Sequence, residues 1–271
     1  MNAFFAMFKR ELAHYFTSPI AYVVLIIFSI LSGWFYVQGF LLPYSLYCQQ
    51  YDMMQMQANP MMAQQMPAPN FTELIVPSLF STFSIILIFL VPLLTMRLIS
   101  EEKREGTIEL LYTYPVSDLQ VILAKYAAAL VIFLFTVLLC AIYLYVPELL
   151  KEGGGVVEWR PILSALLGYF LLGAASISLG LIFSAVTENQ IVSAALTFAL
   201  LLFLWVVGWA PQSGTVEGVM KTLAESVSLT DRSEDLFKGL IHLSDLVFFL
   251  CVIVGALFIT MRSLESHRWR G

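Results

Sequence analysis

RLISEEKREGTIELLYTYPVSDLQVILAK, residues 97–125, interrupts a chain otherwise dominated by long apolar runs. Arg97, Glu101, Glu102, Lys103, Arg104, Glu105 and Glu109 crowd into its first half. A charge held at the centre of a bilayer costs about 2.5–3.5 kcal/mol, so these together would cost about 20 kcal/mol. The stretch therefore stays in water, while the apolar runs on either side cross. It is read as a structured loop between two spanning helices and as the surface that meets a partner.

Composition agrees. The chain has 271 residues, 59% of them hydrophobic and 12% charged, where soluble domains carry about 25% charged residues. The net charge of −5 gives no reason to expect nucleic acid. Cys48, Cys140 and Cys251 are scattered and form neither a disulfide framework nor a metal cluster. The N-terminus lacks the short apolar core and cleavage site of a signal peptide. The soluble segments are too short for a separate domain, so residues 1–271 are read as one all-α membrane domain.

Working outward, six spanning helices are expected at 19–42, 71–96, 118–146, 161–186, 191–209 and 240–262, with the charged region at 97–117 between the second and third. Residues 2–16 form an amphipathic segment. Phe4, Phe5, Phe8, Leu12, Tyr15 and Phe16 share one face, and Lys9, Arg10, Glu11 and His14 the other. It is too short and too charged to cross, and fits a helix lying flat on the bilayer. Ser18 and Pro19 then restart a helix. Asn70 is the expected cap of the second span, and Ser117 with Gln120 opens the third. Residues 43–70 read as a polar loop. The small residues of the fourth span (Gly168, Gly173 and Gly180 among them) suit close helix contact. A short surface helix is expected near 216–226.

Lys9, Arg10, Arg97, Lys103, Arg104, Lys125, Arg262, Arg268 and Arg270 fall on one side of this topology. Lys151, Arg160, Lys221, Arg232 and Lys238 fall on the other. The positive-inside rule puts both termini and the charged loop in the cytoplasm. No GxxxxGK[ST], HExxH, GxSxG or CxxC motif is present, so no catalytic, cofactor-binding or metal site is expected. Asp245 and His242 are read as the hydrated start of the last span.

These residues together resemble the ABC-2-type transporter permeases. The sequence is most similar to the gliding-motility and nitrous-oxide-reductase-maturation subgroup. The likeness runs through FKRELAHYFTSPIAYV, the six spans and EEKREGTIELLYTYPVSDLQVILAKY. Its most specific part is Glu102, Gly106, Thr107, Glu109, Leu111 and Pro115, followed by Lys125 in the next helix.

The resemblance implies an elbow helix at 2–16 and a coupling helix that docks on a separate ATP-binding subunit. It implies Glu101, Glu102, Glu105, Gly106, Thr107, Glu109, Leu111, Tyr112 and Pro115 as the contact with that subunit. Leu98, Ile99 and Ile108 are expected to face membrane or partner, Gly106 to allow a bend or close contact, and Pro115 to end the segment. The expected partners are two copies of the ATPase, which would hold ATP and Mg; a second permease, identical or homologous; lipid; and a periplasmic accessory protein. The expected place is the bacterial inner membrane, and the expected function ATP-driven transport, with export the favoured direction. The alternative is a non-transporting assembly that passes mechanical change to a periplasmic partner. Met53, Met54, Met56, Met61, Met62 and Met66 cluster on the outer side. Thioethers suit Cu(I), so copper contact is one reading of that loop and flexible apolar contact the other.

Overall fold

The computed structural model describes residues 3–56, 70–107, 117–150, 158–209 and 228–268. Among these, every regular element is helical. α1 covers Ala3–Thr17 and α2 Pro19–Trp34. A π-helical segment, Phe35–Leu41, joins α2 to α3 at Leu42–Met56. Next come α4 (Phe71–Thr95), the short α5 (Ser100–Arg104) and α6 (Asp118–Leu150). α7 is Trp159–Val186, α8 Gln190–Trp209, α9 Leu229–Phe237 and α10 Leu243–Arg268. Six helical stretches are long and apolar enough to cross a membrane. The chain is a multi-pass membrane protein.

The local signals at helix starts work as the residues suggest. Ser18 Oγ accepts from the Ile20 amide at 3.4 Å, with Pro19 in the first turn of α2. Asn70 Oδ1 accepts from the Thr72 amide at 3.1 Å. Ser117 Oγ accepts from the Gln120 amide at 3.4 Å.

Helix ends depart from expectation in four places. The first span does not give way to a loop at residue 43. It continues as helix to Met56, because its Tyr, Gln and Met residues are not helix breakers. Pro43, which has no amide to donate, falls just after the π turn, where the regular ladder is already interrupted. The resulting helix, 35 residues from Pro19 to Met53, spans about 50 Å at ~1.5 Å per residue. That exceeds the ~30 Å of hydrocarbon.

The third span likewise runs through Pro147 to Leu150. A proline in the last turn removes one hydrogen bond from a helix already near its end. The last span starts at Leu243 and runs to Arg268, shifted from 240–262. Gly239, at φ 88°, turns the chain out of α9 and leaves 240–242 as a link.

The fourth departure is α9 itself. The surface helix expected near 216–226 falls outside the described residues. α9 follows it, and its Leu229, Ser233, Leu236 and Phe237 are buried. Ser228 caps it, accepting from the Asp231 amide at 3.1 Å. Asp245 is not a hydrated helix start: it is 4% exposed and pairs with Arg232 of α9 at 3.0 Å.

α7 is the central helix, packed on α4, α6, α8, α9 and α10. Its small residues do what small residues permit in lipid. A Cβ on Gly173 would lie 2.1 Å from the Phe133 ring, and one on Gly180 2.4 Å from Thr95 Oγ1. Gly168 seats Leu236 of α9 in the same way. Phe80 and Phe83 of α4, Phe133 of α6, Tyr169 of α7 and Phe237 of α9 form a buried aromatic cluster around these contacts.

Candidate functional site

The charged stretch folds against one end of the bundle. α4 stops at Thr95, residues 96–99 turn, and α5 follows. Leu98 and Ile99 are 4% and 1% exposed. They anchor the turn in the protein's own core, and so do not face membrane or partner as the sequence suggests.

A five-residue helix cannot stabilise itself, since nucleation costs more than so few bonds return. α5 is held from outside. Its first amides have no cap of their own. Ser184 Oγ of α7 accepts from the amides of Ile99 at 3.0 Å and Ser100 at 3.2 Å. In return Lys103 Nζ donates to the Ala185 carbonyl. That places a cation on the last turn of α7, where free carbonyls and the helix dipole favour one.

The far end of α5 explains two residues of the sequence pattern. Gly106 has φ 69°, a left-handed conformation that glycine adopts freely. Its amide donates to the Lys103 carbonyl at 3.2 Å, the usual glycine closure of a helix. Among the described residues a Cβ there would meet nothing within 4 Å, so what the fold itself asks of this position is a bend. Thr107 Oγ1 donates to the Glu102 carbonyl at 3.3 Å and satisfies one more terminal acceptor.

The inward face of α5 carries an ion network. Lys125 Nζ of α6 lies 3.1 Å from Glu11 Oε2 and 3.0 Å from Glu102 Oε1. Arg10 Nη2 lies 2.9 Å from both Glu11 Oε1 and Glu102 Oε1. The side chains of Lys125, Glu11 and Glu102 are 3%, 9% and 18% exposed. Two bases face two acids, so the network is neutral and each charge has more than one partner, as burial requires. Burial pushes the Glu11 carboxyl up, but Lys125 and Arg10 together outweigh it and hold it below its usual value. Burial, and then the Glu11 charge, push the Tyr15 hydroxyl well above its ordinary value. Tyr15 therefore stays a donor, bonded to the Leu94 carbonyl at 2.9 Å. α1 is thus tied to α4, α5 and α6 at once.

Of the residues expected to meet a partner, Glu102 is turned inward and committed to Arg10 and Lys125. Glu101 sits 3.8 Å from His14 and 3.9 Å from Arg97. Glu105, Gly106 and Thr107 are exposed, as is Arg104. Glu109, Leu111, Tyr112 and Pro115 fall outside the described residues. So does Ile108, and so do Met61, Met62 and Met66 of the methionine cluster.

Glu11 is the residue that sequence reasoning missed. Splitting residues 2–16 into an apolar and a polar face assigns Glu11 to water, yet it is buried. The available signal was Lys125. A lone base on the apolar α6 needs an acid from elsewhere, and α1 offers the KRE triplet at 9–11.

A comparison with curated proteins finds no match. Residues 44–223 match the ABC-2 family transporter protein family, and the chain belongs to it.

Proposed function

We propose, from membership of the ABC-2 transporter family, that this chain is the permease subunit of an ATP-driven exporter whose energy comes from a separate ATPase. The family implies such an ATPase and usually a second permease. In this reading two ATPase copies hold ATP and Mg, since the chain has no P-loop. They grip the protein through Arg104, Glu105, Gly106, Thr107 and the residues that follow, in the cytoplasm, beside both termini of an inner-membrane protein. The observation that supports this most directly is the construction of α5. A five-residue helix is fixed by α7 on one side and by α1 and α6 on the other, while its outer end is left exposed. A loop that only set topology would need none of these bonds. Exposed charges at that end suit orientation of a partner.

The test is reconstitution with its partner ATPase. Transport of an amphiphile into inverted vesicles, dependent on ATP, is the expected result. Glu109→Ala and Gly106→Trp should insert normally and lose stimulation of the ATPase. Wild-type stimulation in both would remove the docking role. The mechanical alternative draws on one feature, the first span, which at 35 residues is longer than the hydrocarbon is thick. ATP turnover without transport, together with capture of a periplasmic protein by residues 42–56, would select it.

A further inference from the structure

A cavity of 570 Å³ opens between α1, the start of α2, the end of α4 and α5. One wall is apolar, formed by Ile20, Leu93 and Leu98, and the other is charged. The volume is that of a ligand site. α1 fixes its depth. This helix exposes Phe5 and Phe16, as a helix lying on a bilayer does, so the cavity sits at the level of lipid headgroups.

Its charges are not all used within the protein. Glu11, Glu102, Arg10 and Lys125 neutralise one another. Arg97 and Glu101 are 3.9 Å apart, and His14 is 3.8 Å from Glu101, all beyond hydrogen-bond length. Arg97 Nε is buried with no partner among the described residues. A buried donor left open calls for an acceptor, and none of the described residues supplies it. Glu105 adds an exposed carboxylate to the same cavity. A cation with one unfilled donor and an acid held only at 3.8–3.9 Å, above an apolar wall, match a molecule with a phosphate, an ammonium and acyl chains.

We propose that this cavity binds the headgroup of a zwitterionic aminophospholipid, its phosphate on Arg97 and its ammonium on Glu101. The acyl chains follow Ile20 and Leu93 into the membrane. Bound there, the lipid bridges α1, α4 and α5, and ties the posture of the charged stretch to the lipid around it. The inference needs only the membrane location, and stands or falls apart from the ATPase.

The test is native mass spectrometry of the full chain in detergent, titrated separately with phosphatidylethanolamine, phosphatidylcholine and phosphatidylglycerol. Phosphatidylethanolamine should bind tightest and phosphatidylglycerol weakest. Arg97→Gln and Glu101→Gln should each weaken phosphatidylethanolamine about tenfold, the equivalent of one charged hydrogen bond. Circular dichroism should show their helix content unchanged. Soluble phosphoethanolamine should compete only weakly, because it lacks the chains; full competition would make the ligand a free phosphate ester and overturn the lipid assignment. Equal retention of the three lipids, or wild-type binding in both variants, would overturn the site. So would a photo-crosslinker placed at Ile20 that captures protein and no lipid.

Discussion

Lys125 and Glu11 hold the most consequential contact made by single residues. Removing one member of a buried charge pair costs about 3–5 kcal/mol, because the other is left uncompensated. Lys125→Met should therefore lower thermal stability in detergent by about that amount, and Glu11→Gln by less, since Arg10 and Lys125 keep Glu102. The double variant should cost less than the two singles combined, as expected of residues in one network. Acid adds a second check. The native carboxyl of Glu11 lies below its ordinary 4.5. Its contribution is complete above that value and drains as pH falls through the lower native one. The wild type should thus lose stability below about pH 4.5 more steeply than Glu11→Gln; parallel melting curves from pH 7 to 3 would refute this. At this scale Lys125 and Glu102 were visible in the sequence as parts of a pattern, though not as partners. Glu11 was hidden because amphipathicity sorts residues by polarity, and polarity does not say which polar face is buried against a charge.

At the scale of the element, α5 owes its length to Gly106. A side chain in the left-handed region costs about 1–2 kcal/mol, and nothing nearby would clash. Within the described residues the penalty for a side chain here is therefore one of backbone conformation. Gly106→Ala should reduce ATPase stimulation in the reconstituted complex, and Gly106→Asn should retain more of it, since asparagine tolerates that conformation. Equal loss in both would point to side-chain exclusion instead. Capping residues announced where α2, α4 and α6 begin, because caps are local chemistry. α9 was not announced. Nothing in LTDRSEDLF marks it as a packed helix, and only the bundle reveals that Leu229, Leu236 and Phe237 are buried. The continuation into α3 was concealed for a similar reason: polar residues mark water, and water was taken for a loop.

For the whole molecule, the six crossings and their order were legible, because the cost of burying charge sets them. What the sequence withheld was which helix the others pack around. That role falls to α7, and its glycines carry it. Gly180→Ala would press a methyl group against Thr95, whose own Cβ would lie 2.9 Å away. The two helices must part, at about 1–3 kcal/mol. The expected outcome is a lower melting temperature, with Ala→Gly changes at exposed positions of α8 as the comparison. An unchanged melting temperature would mean that α4 and α7 separate freely.

The bond from Lys103 to the last turn of α7 has a mechanical corollary. α7 is 28 residues long, a rod of about 42 Å at ~1.5 Å per residue. One tip is fastened to α5, and Gly168, about a third of the way in from the opposite tip, cradles α9. Densely packed flanks resist bending. A sideways tug on α5 is then delivered to α9 as an oar delivers a stroke: little deformation along the shaft, and a reversed sweep at the blade.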